Sequence, residues 1–195
     1  MEYISLGGTC VTAYQLKKYK IRNQAYPFDH ANTNISQLVQ VLKNNFNNYV
    51  DMDVVKLSHN HCLFYKDKPS LVVKNIYGIK MSHEIDNIDK VNNFSNRLLT
   101  RIRRLNDLFN DEHIYIRYIR FENSSYKKNY PERLKELLDY LEIMHPYFTL
   151  HLIVHKSYKN FLETIDNSKL TISYFSEYTS DWTYSNLDWK KILTI

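Results

Sequence analysis

The pattern of apolar and polar positions along this chain predicts strands and helices that alternate. Short runs dense in isoleucine, valine, leucine and tyrosine are typical of buried strands, and they occur at residues 2–6, 113–121, 148–154 and 170–175. Apolar residues three and four positions apart predict amphipathic helices, at residues 9–20, 34–46, 88–109 and 130–144. Pro131 is suited to the first turn of the last helix, where its missing N–H is not needed. The alternation favours an α/β fold with a mainly parallel sheet between two helical layers.

The middle of the chain carries shorter apolar runs that are separated by turn residues. Short strands are predicted at residues 53–65, 70–77 and 77–83. Together they indicate a small β-rich insertion at residues 52–82. Because the chain shows no linker, internal repeat or low-complexity segment, we expect a single domain over residues 1–195.

Composition and charge narrow the class of protein. The 195 residues are 44% apolar and 24% charged, which is ordinary for a globular protein that buries a core. The net charge is +5, but no run of five basic residues occurs, so nucleic acid is not an expected partner. We expect neither a secretion signal nor a membrane span, since no run approaches roughly 18 apolar residues. The 2 cysteines are too few for a secreted disulfide framework, which favours the cytoplasm, or the host cytoplasm if the gene is viral.

One cysteine follows a pair of glycines at the junction of a predicted strand and helix. Gly7 and Gly8 allow positive φ angles and close backbone approach, and Thr9 is the predicted N-cap. Cys10 then stands at a helix N-terminus, where unpaired N–H groups and the helix dipole lower a thiol pKa. The same N–H groups are suited to stabilise an oxyanion. The pattern predicts a nucleophilic Cys10, with an oxyanion site formed at the turn.

Two other interpretations of this stretch stay open. Cysteine is among the most buried residue types, and glycine pairs are common where a strand turns into a helix, so Cys10 also fits a purely structural role. A phosphate-binding loop fits less well, because the glycines have neither the spacing of the Walker motif nor the G-x-G-x-x-G spacing.

A nucleophilic cysteine needs a general base, usually a histidine that a third group holds in place. The chain has 8 histidines. His83 is followed by the acidic Glu84, and His30 lies beside Asp29. Since such partners meet in space rather than in sequence, the spacing alone does not choose among the 8 histidines.

A metal site is not expected. His59, His61 and Cys62 form the nearest approach to a ligand cluster, but a structural zinc ion needs four ligands and no second cluster accompanies them. No other cofactor is expected either.

Several arginines lie in predicted helices or strands, where the charge must be solvated, paired with an acid or bound to an anionic ligand. Arg97, Arg101 and Arg104 share one face of the long predicted helix, where a solvated face and an anion site both fit. Arg117 and Arg120 lie in the predicted central strand, where a charge is costly unless it is paired or at the strand end. Arg120 would lie at the carboxyl end, so a buried salt bridge and an anionic ligand both fit.

Residues 3–30 resemble the opening of a family of papain-like cysteine peptidases whose function is otherwise unknown. The positions that match the family pattern are Gly7, Cys10, Ala13, Leu16, Arg22, Pro27, Phe28 and Asp29. The later stretch at residues 77–84 is similar to the family's glycine and histidine-acid element. The resemblance covers roughly residues 3–155.

The resemblance implies that Cys10 is the nucleophile and His83 the base, with Asp29 or Glu84 as the orienting carboxylate. Asp29 is preferred because it lies in the tighter motif. The chain departs from the family pattern at three positions. Thr9, His30 and Glu84 stand where the family has asparagine, tryptophan and aspartate.

The favoured hypothesis is a cysteine-dependent hydrolase, either a papain-like peptidase or an acyl transferase, that acts on a peptide, a protein or an anionic substrate. The alternative is a non-catalytic domain that binds an anion such as a nucleotide sugar, or an interaction protein of a virus. The resemblance also implies a papain-like α+β fold as the alternative to the three-layer α/β arrangement.

Overall fold

The computed structural model describes residues 2–58, 70–81, 85, 87–108, 112–119, 124–177, 181 and 183–193. Its strands are β1 (Glu2–Ser5), β2 (Ala31–Asn32), β3 (Met52–Ser58), β4 (Ser70–Asn75), β5 (Lys80–Met81), β6 (His113–Ile119), β7 (Phe148–His155) and β8 (Leu170–Phe175). Its helices are α1 (Val11–Lys18), α2 (Ile35–Lys43), α3 (Val91–Asn106), α4 (Ser124–Met144), α5 (Lys159–Leu162) and α6 (Trp189–Leu193). Within the part of the chain described, no helix combines the length and apolar character needed to cross a bilayer.

The main sheet is parallel and has the strand order β1-β6-β7-β8. Ser5 pairs with Ile116, Ile116 pairs with His151, and the last pair joins His155 to Phe175. Because every connection is a crossover, helices must cover the faces of the sheet. The predicted α/β class, with a parallel sheet flanked by helices, is confirmed.

Both faces of this sheet are buried, which explains why its strands read as nearly continuous apolar runs. The large core lies against α2, α3 and α4, and its fully buried members include Ile4, Leu38, Leu98, Leu134, Leu137, Leu150 and Leu152. The small core lies on the other face and contains Val11, Leu16, Ile114, Ile153, Phe175, Tyr184, Trp189 and Leu193. The small core therefore holds α1 against the sheet with side chains from the last part of the chain.

A second, antiparallel sheet has the strand order β2-β5-β4-β3. Met81 pairs with Ala31 on one side and with Val73 on the other. This sheet confirms the small β-rich unit of the middle region. It also contains β2, which the sequence pattern did not predict, because two residues are too few to show an alternating pattern.

Helix α4 begins earlier than the sequence predicted, and Pro131 lies inside it rather than in its first turn. The expectation about Pro131 is therefore wrong. A proline inside a helix loses one backbone hydrogen bond and crowds the carbonyl four residues before it, but the buried Leu134, Leu137, Leu138 and Leu141 that follow it hold the helix in place through packing.

Helix α3 is shorter than its predicted apolar stripe. Ile88 belongs to a preceding 3₁₀ turn, which Asn87 begins by accepting a hydrogen bond from the Asp89 N–H (3.3 Å). Ile88 is 62% exposed, so it contributes nothing to the core, while Phe94 and Leu98 do. Phe109, the other end of the predicted stripe, lies outside the described residues.

Two buried histidines make the stability of the fold depend on pH. His145 and His151 are 5% and 1% exposed, and the His151 Nε2 lies 2.8 Å from the Ser173 hydroxyl. Burial lowers the pKa of each imidazole to about 4, and His113 contributes to the effect at His145. Both rings are therefore neutral in the folded protein at pH 7.

We expect the free energy of unfolding to fall by about 2–3 kcal/mol between pH 7.5 and pH 5. Unfolded histidines take up protons as the pH falls through about 6.5, whereas these two do not until about pH 4. Asp29, whose pKa burial raises to about 6, acts in the opposite direction and offsets part of the loss. Urea denaturation at both pH values measures the change, and His151→Gln should show less of it. Stability that is equal or higher at pH 5 contradicts this prediction.

Candidate functional site

A left-handed turn connects β1 to α1. Gly7 and Gly8 have φ angles of +71° and +88°, a region that L-residues with side chains disfavour. A Cβ atom on Gly7 would lie 2.6 Å from the Thr33 hydroxyl oxygen and 3.3 Å from the Ala31 carbonyl oxygen. We call residues 6–10 the glycine elbow. The glycine at position 7 is needed both for its φ angle and for the close approach of residues 31–33.

Hydrogen bonds hold the backbone of the elbow. The Gly7 N–H donates to the Ser5 hydroxyl (3.3 Å), and the Gly8 N–H donates to the Thr33 hydroxyl (2.9 Å). The Thr9 hydroxyl accepts from the Val11 N–H (3.3 Å). Gly7, Gly8 and Thr9 thus shape the turn, but the Gly8 N–H is already engaged. The Val11 N–H, in the first turn of α1, is likewise engaged by Thr9.

Cys10 is the residue at which α1 begins. It occupies the N-cap position in place of the predicted Thr9, with φ −69° and ψ −10°, and its carbonyl accepts from the Tyr14 N–H (3.0 Å). The backbone N-cap is thus one residue later than predicted, but the Thr9 hydroxyl still accepts from an N–H in the first turn of α1, as a capping side chain does. Cys10 carries a thiol and is half-buried. This position at the carboxyl end of a parallel strand is where open α/β sheets bind their ligands.

Asp29 is buried and joined to Arg22. It is 2% exposed, and its Oδ2 accepts from the Arg22 guanidinium and from the Tyr26 N–H (3.1 Å). Its Oδ1 is buried and has no hydrogen-bond partner among the described residues. Burial raises the pKa of Asp29 to about 6, although Arg22, the Tyr26 N–H and Arg101 act to lower it. Arg22 is thus a structural partner of the carboxylate that the sequence had proposed as the orienting acid.

The turn that contains Asp29 lies against the elbow. The Asp29 N–H donates to the Tyr26 carbonyl (3.1 Å), and the Ala31 N–H donates to the Phe28 carbonyl (3.2 Å). His30, between them, is half-buried and takes a φ of +62°. Since Gly7 abuts this turn, the fold brings together the two most specific motifs of the sequence.

The predicted base, His83, and its neighbour Glu84 lie outside the described residues. Met81, two residues before His83, pairs with Ala31. Ile85, which follows Glu84, is buried, and its carbonyl accepts from the Leu71 N–H (2.9 Å). Both flanking residues are therefore anchored on the small sheet that also contains Ala31.

Of the remaining candidate residues, the arginines of α3 have structural contacts, and the others lie outside the described residues. The Arg104 guanidinium donates to the Ala25 carbonyl (3.3 Å), and Arg97 lies over the Phe94 ring at 5.5 Å. Arg101 acts electrostatically on Asp29. Arg104 and Arg101 therefore face the segment around Asp29, whereas the Arg97 contact lies within α3. The residues that the structure does not describe are His59, His61, Cys62 and Arg120; the side chain of Arg117 is likewise not described.

Sequence reasoning missed Thr33. It is 3% exposed and supplies the acceptor for the Gly8 N–H, yet it stands in a polar stretch between β2 and α2 that carries no motif. No spacing rule links it to the elbow, which lies 25 residues earlier. Only the tertiary fold could reveal the contact.

Two cavities lie away from the elbow, on the face of the sheet that carries the small core. One, of about 490 Å³, is lined by His151 and Lys169, among others, and the second, of about 610 Å³, by Ser173 and Lys191. No residue of the elbow lines either cavity. They therefore do not extend the candidate site around Cys10.

The fold and the elbow define an α/β protein with a cysteine at a strand-to-helix turn. The model of a family described as "Putative papain-like cysteine peptidase (DUF1796)" matches residues 1–158, and the chain belongs to this family. The chain is also similar to an uncharacterised protein of Acanthamoeba polyphaga mimivirus, with 28% identity over 225 residues that cover 98% of this chain and 96% of the relative. No solved structure matches the chain. The resemblance seen in the sequence is thereby confirmed.

Proposed function

We propose that this protein is a cysteine-dependent hydrolase or acyl transferase in which Cys10 is the nucleophile and His83 the general base. The observation that carries the proposal is the meeting of three segments. Gly7 of the elbow abuts the Ala31 carbonyl, and Ala31 pairs with Met81. The chain that leads to His83 therefore starts beside the elbow that presents Cys10.

The reaction would use the ordinary chemistry of a thiol nucleophile. The Cys10 sulfur attacks a carbonyl carbon as His83 takes the thiol proton, and the carbonyl oxygen becomes an oxyanion. Backbone N–H groups of the turn between β1 and α1 stabilise that oxyanion. His83 then protonates the leaving group, which leaves an acyl group on Cys10. Water, or an acceptor amine or alcohol, attacks this thioester and releases Cys10.

Asp29 is the proposed orienting carboxylate, with Glu84 as the other candidate. The Oδ2 of Asp29 is taken up by Arg22 and the Tyr26 N–H, but its buried Oδ1 has no partner among the described residues. A buried acceptor without a partner is costly, and an imidazole N–H would satisfy it. This oxygen supports a role for Asp29 in addition to its ion pair.

The anion-binding alternative gains no support from these contacts. An anion site at the elbow would use the Gly8 N–H and a nearby arginine. The Gly8 N–H donates to Thr33, and Arg22 is bound to Asp29. To bind an anion, the Gly8 N–H would have to release Thr33, and Arg22 would have to release Asp29.

Acylation of Cys10 by p-nitrophenyl acetate tests the proposal. In a Cys62→Ser background, which leaves Cys10 as the remaining thiol, we expect rapid acetylation of Cys10 at pH 7, located by mass spectrometry. His83→Gln should slow this acetylation by at least about 100-fold, the usual contribution of a general base. His30→Gln is the matched control and should change the rate by less than about threefold. Equal rates in the parent and in His83→Gln, or a loss confined to His30→Gln, contradict the assignment of the base.

A further inference from the structure

Thr33 is the side chain that fixes the backbone of the elbow from outside. Its hydroxyl oxygen accepts from the Gly8 N–H at 2.9 Å and lies where a Cβ on Gly7 would be. Thr33 is buried and Gly8 is half-buried. Removing the hydroxyl leaves the Gly8 N–H, two residues before Cys10, without this acceptor.

Thr33 is itself held on both sides. Ala31, two residues earlier, is paired in the small sheet. Asn34, the next residue, caps α2 in a reciprocal pair of hydrogen bonds with Gln37: the Gln37 N–H donates to the Asn34 Oδ1 (2.8 Å), and the Asn34 N–H donates to the Gln37 Oε1 (2.9 Å). A capping box of this kind fixes the first turn of a helix. The connection from β2 to α2 therefore has little freedom to move.

Gln37 extends this bracing to the turn before β5. Its Nε2 donates to the Tyr77 carbonyl at 3.0 Å, and Gly78, with φ +76°, approaches so closely that a Cβ there would lie 3.1 Å from the same Nε2. The Gly78 N–H donates to the Asn75 carbonyl (2.9 Å). One side chain thus caps α2 and also holds the turn that feeds β5.

We infer that Thr33 and Gln37 are positioning residues that set the position of the elbow relative to β5, the strand that leads to His83. Thr33 fixes the elbow, Gln37 fixes the turn before β5, and the capping box joins the two rigidly. The inference rests on the proposed function, since it concerns the geometry of the Cys10–His83 pair. Neither residue is assigned contact with substrate. They act through the backbone on which the reacting groups stand.

The test is the acetylation of Cys10 by p-nitrophenyl acetate in the Cys62→Ser background. Thr33→Val keeps the shape of the side chain and removes the acceptor, and we expect it to slow acetylation at pH 7 by about tenfold or more, since small displacements of reacting groups are costly. Thr33→Ser restores the hydroxyl and should stay within about threefold of the parent. Urea denaturation confirms that each variant is folded.

A double-mutant cycle separates positioning from a merely structural role. If Thr33 acts through the Cys10–His83 geometry, Thr33→Val should have little further effect once His83→Gln is present. Effects that multiply, or a folded Thr33→Val with the parental rate, overturn the inference while the proposed function stands. If the parent shows no His83-dependent acetylation, the proposed function fails, and the inference falls with it.

Gln37→Glu supplies a second variant should Thr33→Val not fold. It keeps the acceptor of the capping box but loses the N–H that donates to Tyr77. We expect slower acetylation that is again non-additive with His83→Gln. A folded Gln37→Glu with the parental rate overturns the role of Gln37.

Discussion

Replacing Arg22 with leucine should lower the free energy of unfolding by about 2–3 kcal/mol at pH 8, since a buried carboxyl that has lost its ion pair can at most cost what its protonation costs there. Asp29, which is 2% exposed, would lose its main counter-charge and would take up a proton or remain as an unpaired buried charge. The loss should shrink at pH 5. Burial already raises the pKa of Asp29 to about 6, and it rises further without Arg22, so the carboxyl is neutral there and needs no cation. Urea denaturation at both pH values gives the comparison.

Two variants serve as controls for this prediction. Arg133→Leu breaks an ion pair with Glu136 in which the arginine side chain is 48% exposed, and it should cost less than about 1 kcal/mol. Adding Asp29→Asn to Arg22→Leu removes the stranded charge and should recover much of the loss at pH 8. A pH-independent loss, or a loss no larger than that of Arg133→Leu, contradicts the account of a buried pair.

Replacing Gly7 with alanine should destabilise the protein by about 2–4 kcal/mol. The φ of +71° costs a residue with a Cβ about 1–2 kcal/mol. The new Cβ would lie 2.6 Å from the Thr33 hydroxyl oxygen, so Thr33 must move and its hydrogen bond to Gly8 is lost, at about 1 kcal/mol or more. The midpoint and slope of urea denaturation measure the sum.

Gly78→Ala is the matched control. Its φ of +76° is nearly the same, but the nearest atoms to a new Cβ are the ends of the Gln37 and Lys74 side chains, at 3.1 and 3.7 Å. At 3.1 Å the Gln37 end needs to shift by only a few tenths of an ångström and can keep its hydrogen bond to Tyr77, so we expect a loss of only about 1–2 kcal/mol. A Gly78→Ala variant that loses as much as Gly7→Ala would show that the backbone angle alone, and not the contact with Thr33, governs the elbow.

Most regular elements of this fold were predictable because their apolar residues face a core. The strands at 113–119 and 148–155 are buried in the middle of the parallel sheet, and such strands read as apolar runs. The pattern of apolar residues gave no prediction or a wrong one where strand pairing or tertiary packing determines the structure. β2 exists only because Ala31 and Asn32 pair with β5, and α4 continues through Pro131 because tertiary packing outweighs one missing hydrogen bond.

Some features of the candidate site were likewise predictable from the sequence, and others were not. The glycine pair and Cys10 were visible, since a strand, two glycines and a helix start leave few local conformations. The role of Thr33 and the pairing of Arg22 with Asp29 were not visible, because hydrogen bonds made by side chains across the fold follow no sequence period. The start of α1 differed from the prediction by one residue, because the Cys10 carbonyl and not the Thr9 carbonyl accepts the first backbone bond of the helix.

The rate of alkylation of Cys10 by iodoacetamide as a function of pH tests the central claim most directly. In the Cys62→Ser variant, mass spectrometry follows the adduct on Cys10, and urea-unfolded protein supplies the reference. A cysteine at a helix N-terminus beside a histidine should react with a pKa of about 7 or lower, against about 8.5 in the unfolded chain. That result supports a nucleophilic Cys10. A folded-state pKa at or above the unfolded value, with negligible reaction at pH 6, would contradict it.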